Sequence, residues 1–594
     1  MATAKRLDAL RVLMAERGYD ALIIPRADEH LGEYIPLHNE RLLWVSGFSG
    51  SAGSVVILRD QAAIFVDGRY TVQVRQQVDA EHFSYQHLVK MPPASWLASV
   101  LPAGARVAVD PRLHSLHWLC EAESTLASAG IAVSADADNL VDRCWEDRPA
   151  AQVRPALLLG EQFTGESSAS KRARIAAMLT PQRADAALIF APDSVSWLLN
   201  VRGLDVPCLP VLQAMALIWR DASVDLIVEP ARMPPGWEAH CGSDVRLHAP
   251  EAAESLLSGQ SGKHVLADPQ TANAWSQRLL ERGGATLIAA PDPVLLPKAC
   301  KNSVEIAGAR SAHLRDAVAV VHFLAWLDAE QLAGRRHDEA SLSDQLLAFR
   351  QGGEHFQGPS FDTISAAGAN AAMCHYNHRN ATPAKLPVNS VYLVDSGGQY
   401  TDGTTDITRT VAIGDPGAEV RQLFTLVLQG HIALDEVRFP QGTTGTHLDV
   451  LARQPLWRQG LDYDHGTGHG VGAFLSVHEG PQRIGRAWSA VDLQPGMILS
   501  NEPGYYRDGE FGIRCENLVV VQAVEGTLET PMYVFDALTL VPFDRRLIAC
   551  ELLSAGERAW VDAYHQRVLA TVGPLLPSAE QAWLEHACTP LAGG

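Results

Sequence analysis

The stretch from Val391 to Thr410, VYLVDSGGQYTDGTTDITRT, constrains the fold most, because it places two aspartates next to predicted strands. The short apolar run at 391–394 predicts a buried strand that leads into Asp395, and the β-branched run at 407–411 predicts a second strand directly after Asp406. The glycines and polar residues between these runs favour turns, so the two strands should pair as in a hairpin. This pairing would bring both aspartates to one place.

Buried carboxylates need a compensating positive charge, because removing a carboxylate from water costs several kcal/mol. Three later segments supply side chains that suit a metal ion: HGTGHG (465–470), NEPGYY (501–506) and GIRCENLVVV (512–521). Any one of these acids alone would be interpreted as a surface group or a salt-bridge partner, whereas five candidates in apolar or glycine-rich settings favour a shared site. The candidate ligands are Asp395, Asp406, His469, Glu502 and Glu516. This oxygen-rich set suits Mn, Co or Zn, and bridging carboxylates favour two metal ions.

The order of these five residues resembles that of the metallopeptidases with the pita-bread fold, which include methionine aminopeptidase, prolidase and aminopeptidase P. The strings VDSGGQYTDGTTDITRT, HGTGHGVGAFLSVHEGP, NEPGYY and GIRCENLVVV are similar to the Xaa-Pro aminopeptidases (aminopeptidase P) of the long, three-domain form. The resemblance extends over nearly the whole chain. It implies an α/β protein in which two related, creatinase-like α/β domains precede a C-terminal pita-bread domain of α+β type. It also implies a dinuclear site, usually Mn²⁺ with Zn²⁺ or Co²⁺ as alternatives, that releases the N-terminal residue from peptides with proline in second position.

The resemblance implies a role for each candidate ligand. Asp406 and Glu516 would bridge the two metal ions, and Asp395 would complete the coordination of one of them. His469 and Glu502 would complete the coordination of the other. A metal-bridging hydroxide would attack the scissile carbonyl, and Glu502 is the candidate for accepting the proton of the attacking water.

By the same resemblance, five residues match positions that line the substrate pocket of the family: His375, His465, His469, His478 and Arg69. His375 and His478 are also implied as catalytic groups that donate hydrogen bonds to the intermediate or shuttle protons, because imidazole titrates near neutral pH. For a single histidine among 22, or for one arginine, a structural or surface role is the alternative. The glycines beside His465 and His469 allow close approach of a ligand to the backbone, which favours a functional role there.

Two further inferences depend on strand geometry, in which residues i and i+2 share a face and adjacent residues do not. Arg514 precedes Glu516 by two positions, so its guanidinium would share that face and orient the Glu516 carboxylate. Cys374 and His375 are adjacent, so their side chains would point apart. This disfavours a nucleophilic Cys–His pair at that position.

The chain has 594 residues, which is too long for one hydrophobic core and predicts two to four domains. Proline-bearing segments near WEDRPAAQVRP and PDPVLLPKACK predict boundaries, which gives domains at 1–153, 154–301 and 302–594, the last with a C-terminal extension. The second domain repeats the order of the first, since YDALII and DAALIF precede similar strand pairs that turn at Arg59-Asp60 and Arg220-Asp221. A capping box of Asn302 and Glu305 predicts a long helix over 304–327.

Charge and cysteine usage restrict the partners and the compartment. The net charge of −20 opposes binding to nucleic acid or to anionic membranes, and no apolar run reaches the length that spans a bilayer. The N-terminus predicts an amphipathic helix and not a signal peptide. Nine cysteines are scattered singly, which argues against a disulfide framework and favours a reducing, cytoplasmic compartment. Aromatic residues after residue 531 would pack internally or form a subunit interface, and the resemblance implies a homodimer.

Other functions remain as alternatives. The glycine-rich run HGTGHGVG lacks both the Walker lysine and the Rossmann glycine spacing, so it does not indicate a phosphate loop. A prolidase-type dipeptidase of the same fold would cut only dipeptides, methionine aminopeptidase usually lacks two large preceding domains, and creatinase lacks the ligand set. A non-catalytic peptide-binding protein on this scaffold would be expected to lose ligands, whereas all five are present here.

Overall fold

The computed structural model describes residues 3–526 and 529–591. The chain divides into two compact units. The first runs to Gly160 and resumes from Glu166 to Leu295, and the second contains Glu161–Gly165 and the chain from Leu296 onwards. Since Asn302 donates its side-chain N–H to the carbonyl of Thr164 at 2.8 Å, the short segment at 161–165 packs with the second unit. The domain boundaries after residues 153 and 301 stay a proposal.

The first half of the first unit is a six-stranded sheet with helices. Its strand order is β4-β3-β2-β1-β5-β6; β1 pairs antiparallel with β2 and parallel with β5. The strands are β1 (Ala21–Pro25), β2 (Ser54–Leu58), β3 (Ala62–Val66), β4 (Ser84–His87), β5 (Arg106–Val109) and β6 (Ala132–Ala135). The helices are α1 (Thr3–Glu16), α2 (Arg41–Ser46), α3 (Gln73–Gln77), α4 (Pro93–Val100), α5 (Leu116–Ser128) and α6 (Leu140–Cys144).

The second half repeats this arrangement, with the strand order β12-β11-β10-β8-β13-β14. Its strands are β7 (Leu157–Leu158), β8 (Ala186–Ile189), β9 (Val201–Arg202), β10 (Ala214–Trp219), β11 (Val224–Val228), β12 (Val245–His248), β13 (His264–Ala267) and β14 (Thr286–Ala289). The remaining helices before the second boundary are α7 (Glu161–Thr164), α8 (Ser168–Leu179), α9 (Pro192–Leu199), α10 (Trp237–Cys241), α11 (Ala253–Ser258), α12 (Ala274–Arg282) and α13 (Leu295–Ala299). Of these, α7 and all but the first residue of α13 belong to the second unit. Strand pairs β2–β3 and β10–β11 turn at the predicted positions, so the relationship between the two α/β domains is confirmed.

The second unit is built from antiparallel sheets and long helices. Its helices are α14 (Ser303–Leu332), α15 (Glu339–Gln351), α16 (Ala418–Asp435), α17 (Gly445–Trp457), α18 (Ala555–Val572) and α19 (Ser578–Ala587). Its strands are β15 (Phe356–Pro359), β16 (Ile364–Ala367), β17 (Ser390–Ser396), β18 (Gly398–Tyr400), β19 (Gly403–Thr404), β20 (Ile407–Ile413), β21 (Arg438–Pro440), β22 (Gly468–Gly470), β23 (Glu479–Ile484), β24 (Ile498–Asn501), β25 (Gly504–Arg507), β26 (Phe511–Arg514), β27 (Asn517–Ala523) and β28 (Met532–Ala537).

Two sheets of the second unit position the site. One has the order β16-β17-β20, and the other has the order β21-β28-β27-β24-β22-β23. Their apolar faces and the buried sides of α14, α16 and α17 form one hydrophobic core. Helix α14 begins with the predicted capping box, because the side chain of Asn302 accepts from the N–H of Glu305 and Glu305 accepts from the N–H of Asn302.

The aromatic residues of the C-terminal extension pack internally. Trp560 stacks on Tyr564 with ring centroids 5.3 Å apart, and the indole N–H of Trp583 donates to Asp328 at 2.9 Å. These contacts account for the aromatic positions within the second unit. Among the described residues, no helix is long and apolar enough to cross a membrane.

Candidate metal centre

The pairing of β17 with β20 brings the two aspartates together, as the sequence predicts. In the antiparallel register Asp395 lies opposite Thr408, and Ser396 lies opposite Ile407, the residue after Asp406. The short hairpin of β18 and β19 fills the connection between the strands. Both aspartates are buried, with 7% of Asp395 and 4% of Asp406 exposed, so their carboxylates are largely removed from water.

Three neighbouring strands of the larger sheet bring the other candidate ligands to the same place. His469 is on β22, Glu502 follows β24, and Glu516 precedes β27. Strand β24 pairs with both β22 and β27, which places the three residues at one end of the sheet. The Nε2 atom of His469 lies 3.4 Å from an oxygen of Asp406 and 3.5 Å from an oxygen of Glu502.

A compact group of ligand atoms lies at the centre of this arrangement. One ligand atom each from Asp406, His469 and Glu516 lies within 4.8 Å of the other two. Ser500 orients two members of the site, since its hydroxyl accepts from the backbone N–H of His469 and donates to Glu502 at 3.1 Å. Four of the predicted ligands, Asp406, His469, Glu502 and Glu516, are joined by these contacts, and Asp395 is close enough for its charge to act on Asp406 and Glu516.

Charge crowding at the site is visible in the pKa values. Burial, together with the neighbouring charges of Asp395 and Glu502, raises the pKa of Asp406 to about 6. Burial and the same acidic neighbours raise the pKa of Glu516 well above its ordinary value. Burial alone would lower the pKa of His469, but its hydrogen bond to Asp406 and the charge of Glu502 raise it to about 9. Burial and mutual repulsion therefore outweigh the two cationic neighbours of these acids, the imidazole of His469 and the guanidinium of Arg514.

The residues fit a pair of divalent metal ions. Oδ1 of Asp395 is buried and has no hydrogen-bond partner among the described residues, which is costly for a carboxylate oxygen unless a cation contacts it. Carboxylate oxygens and one imidazole nitrogen form the donor set of first-row divalent ions. Four clustered carboxylates supply enough negative charge for two such ions.

Arg514 contacts this centre differently from the sequence-based expectation. It ends β26, and Glu516 lies between that strand and β27, so the two residues do not share a strand face. The guanidinium donates directly to Asp395 at 2.5 Å. It reaches Glu516 only through Thr408, whose hydroxyl accepts from Arg514 Nε at 2.9 Å and donates to Glu516 at 2.5 Å. Thr408 was not among the residues predicted from the sequence. It lies on β20, two positions after Asp406, and this spacing could have indicated it.

The candidate histidines lie near the same side chains. The rings of His478 and His469 meet edge to face with centroids 4.3 Å apart. Nε2 of His465 lies 2.8 Å from the hydroxyl of Tyr506, which accepts from Arg514 at 2.7 Å. Tyr506 is a second residue that sequence reasoning missed.

His375 and Arg69 lie on segments other than the strands that carry or flank the candidate ligands. His375 is in a turn next to Cys374, whose carbonyl accepts from Arg514 at 3.3 Å. The strand argument about Cys374 and His375 was therefore wrong in its premise. Arg69 belongs to the first unit, where its guanidinium forms hydrogen bonds to Asp67. Its contact with substrate stays a prediction.

Family models match nearly the whole chain. The model of metallopeptidase family M24 matches residues 307–523, and that of the C-terminal region of the family matches 531–591. Two models of the creatinase/prolidase N-terminal domain match residues 6–144 and 147–305. The fold and the site thus define an M24 metallopeptidase with two creatinase-type N-terminal domains.

Individual relatives are similar over the full length. Probable Xaa-Pro aminopeptidases P from Tuber melanosporum and Chaetomium globosum are 36% and 38% identical over 99% of this chain and 99% of their own. A crystal structure of X-prolyl aminopeptidase from Caenorhabditis elegans, described as a cytosolic enzyme with a di-nuclear active site, is 34% identical, covers 100% of both chains and has a TM-score of 0.94. The chain belongs to the Xaa-Pro aminopeptidase P family. Membership in a metallopeptidase family makes it a metal-dependent hydrolase.

Metal binding to the chelator-stripped protein should release protons at pH 7. His469 is protonated at this pH when no metal is bound, because its pKa is raised to about 9, and coordination requires its unprotonated form. The raised pKa of Glu516 acts in the same direction. Metal affinity should therefore increase as the pH rises from 6 to 9. Titration calorimetry with Mn²⁺ in buffers of different ionisation enthalpy measures the release, which we expect to be about one proton or more per chain. A binding enthalpy independent of the buffer would contradict this prediction.

Proposed function

We propose that this metal-dependent aminopeptidase releases the N-terminal residue from peptides that have proline in second position. The observation that supports the proposal is the cluster of Asp406, His469, Glu502 and Glu516 beside His478, in a chain of which 99% aligns with a probable Xaa-Pro aminopeptidase P. We further propose two Mn²⁺ ions as the native metal, with Zn²⁺ or Co²⁺ as alternatives. Asp395, Asp406, His469, Glu502 and Glu516 would hold these ions, with Asp406 and Glu516 shared between them.

Two bound divalent ions would supply Lewis acidity, which polarises the scissile carbonyl and lowers the pKa of water. The protein side chains then place and move protons. Glu502, whose carboxylate accepts from Ser500, is positioned to accept the proton of the attacking water. His478 and His375 are the candidates for hydrogen bonds to the tetrahedral intermediate, which stabilise the developing negative charge.

In this proposal the remaining side chains orient the metal ligands or line the substrate pocket. Arg514 fixes Asp395 directly and Glu516 through Thr408, so two ligand carboxylates share one guanidinium. His465, His469 and Arg69 are proposed to line the substrate pocket.

The proposal also covers assembly and compartment. We propose a cytoplasmic homodimer, consistent with nine cysteines that form no disulfide among the described residues and with the cytosolic description of the nematode relative. The net charge of −20 disfavours nucleic acid and membrane surfaces as partners. Peptide substrates are the expected partners.

The decisive experiment measures release of the N-terminal residue from Ala-Pro-Pro, Ala-Ala-Ala and the dipeptide Ala-Pro. Chelator-stripped protein is assayed with and without added Mn²⁺, Zn²⁺ or Co²⁺. We expect cleavage of Ala-Pro-Pro alone, restored most strongly by Mn²⁺. Preference for Ala-Pro would indicate a prolidase-type dipeptidase, and cleavage of Ala-Ala-Ala at a similar rate would rule out the proline requirement. Absence of cleavage with every metal would favour a non-catalytic peptide-binding protein.

A further inference from the structure

Three charged side chains, Lys298, Lys301 and Glu479, form an enclosed cluster that the proposed reaction does not use. Nζ of Lys301 donates to Oε1 of Glu479 at 2.7 Å, and Nζ of Lys298 lies 2.9 Å from Oε2. Each of the three side chains is at most 1% exposed. One lysine would neutralise the carboxylate, so the second adds a buried charge that costs several kcal/mol to desolvate. The contribution of this cluster to folding stability therefore does not explain the second lysine, which indicates another role.

Glu479 connects this cluster to the metal centre. It directly follows His478, and it lies opposite Gly470, the residue after His469, in the pairing of β22 with β23. The loop at 471–478 closes the connection between the two strands. A Cβ atom at Gly472 would lie 2.8 Å from Oε2 of Glu479, so the loop passes directly over the carboxylate.

The two lysines come from a segment that the backbone holds in place. The N–H of Lys301 donates to the carbonyl of Gly496 at 3.0 Å, and Cys300 forms a β-bridge with Met497 just before β24. Helix α14 begins two residues later with its capping box. The backbone around the lysines is therefore held in place, and the two ammonium groups restrict the position of the Glu479 carboxylate.

The middle of the loop has a second polar anchor. The side-chain amide of Gln399 donates to the carbonyl of Leu475 at 2.8 Å, and Thr404 donates to Gln399 at 2.7 Å. Both residues belong to the hairpin of β18 and β19 between Asp395 and Asp406. The loop is thus held at its middle by this hairpin and at its end by the lysines.

We propose that Lys298, Lys301 and Glu479 are positioning residues that hold the loop at 471–478 and set the place of His478 against His469. The inference rests on the proposed function, because it assigns the cluster to the placement of His478 in that reaction. Two ammonium groups, one on each carboxylate oxygen, prevent Glu479 from rotating. His478 directly precedes Glu479 in the chain, so the same contacts restrict the orientation of its imidazole.

The test uses Lys301→Met in the full-length, metal-loaded protein. This variant leaves the Lys298–Glu479 pair, so the buried carboxylate stays compensated and the fold should be kept. We expect unchanged metal content and KM for Ala-Pro-Pro, and a fall in kcat of about tenfold to a hundredfold, as expected when a catalytic group is displaced by about 1 Å. Lys298→Met should give the same pattern. Lys385→Met, which removes an exposed lysine of the same unit, is the matched control and should behave as wild type.

Hydrogen–deuterium exchange supplies a readout that does not depend on activity. In Lys301→Met the peptide that covers 471–478 should exchange faster than in wild type, while peptides from β17 and β20 are unchanged. If the wild-type protein cleaves no Xaa-Pro peptide, the proposed function fails, but this exchange comparison still decides whether the lysines hold the loop. Wild-type exchange in this peptide would overturn the proposal.

A double-variant comparison separates positioning from general stability. His478→Ala lowers kcat by itself, and adding Lys301→Met should cause no further loss if the lysine acts through His478. Losses that multiply would overturn the proposal. A lowered melting temperature in Lys301→Met with a wild-type kcat would likewise show a structural role only.

Discussion

Asp406→Ala is expected to lose both bound metal and peptide cleavage. Asp406 is 4% exposed and lies next to Nε2 of His469, and its ligand atom belongs to the compact group with Glu516. Its removal takes a carboxylate from the centre and leaves Nε2 of His469 without the nearer of its two carboxylate neighbours. We expect kcat/KM for Ala-Pro-Pro to fall more than about 10³-fold, equivalent to about 4 kcal/mol of transition-state stabilisation.

Metal analysis by mass spectrometry, run beside the activity assay, checks this result. The matched control is Asp415→Ala, because Asp415 follows the same strand β20, has a side chain that is 70% exposed and pairs only with Arg421 among the described residues. This control should keep wild-type metal content and activity. Full metal content together with wild-type cleavage in Asp406→Ala would show that the metal centre has been assigned to the wrong residues.

Arg514→Met is expected to destabilise the second unit strongly when metal is absent. The guanidinium is 2% exposed and donates to Asp395, whose other oxygen has no hydrogen-bond partner among the described residues. Removing one partner of a buried ion pair costs about 3–5 kcal/mol, because the remaining charge is uncompensated. In a unit of this size we expect the melting temperature of the chelator-stripped protein to fall by about 5–10 °C.

The loss should be smaller after addition of Mn²⁺, because a bound cation also compensates Asp395. Arg507→Met, the control, removes an arginine from the neighbouring strand β25 whose partners Glu419 and Glu510 are exposed. Exposed ion pairs contribute about 0–1 kcal/mol, so this control should shift melting by less than about 2 °C. Calorimetric scans of both variants, with and without metal, measure these shifts in melting temperature. Equal melting of Arg514→Met and wild type in chelator would refute the proposed role of the arginine.

Local pattern explains why so much of the fold was predictable. The apolar and β-branched runs around Asp395 and Asp406 specify paired strands within twenty residues, and turn-forming glycines join them. Asn302 and Glu305 specify the start of α14 by side-chain capping, which also needs only neighbouring residues. The repeated order of helices and strands likewise predicted two related α/β domains, and the structure gives their sheets the same strand order.

The contacts of the site depend on residues far apart in sequence. Arg514 and Asp395 are 119 positions apart, and Lys301 and Glu479 are 178 positions apart. No local pattern indicated either pair. Arg514 reaches Glu516 through Thr408 and not along a shared strand face, because the strand ends between them. Cys374 and His375 lie in a turn and not in a strand. The prediction assumed a strand from neighbouring residues alone, and tertiary packing decided otherwise.

The sequence by itself determined the α/β class, the repeated N-terminal domains, the paired strands and the identity of the five candidate ligands. Residue types and short-range spacing carry these features, because burial of a carboxylate and formation of a strand or a capped helix are local requirements. Only the tertiary structure decided that Arg514 binds Asp395 and reaches Glu516 through Thr408, and that two buried lysines hold Glu479 next to His478. These arrangements arise when separate sheets and segments pack together, and the desolvation of their charges then makes each group dependent on partners that are distant in sequence.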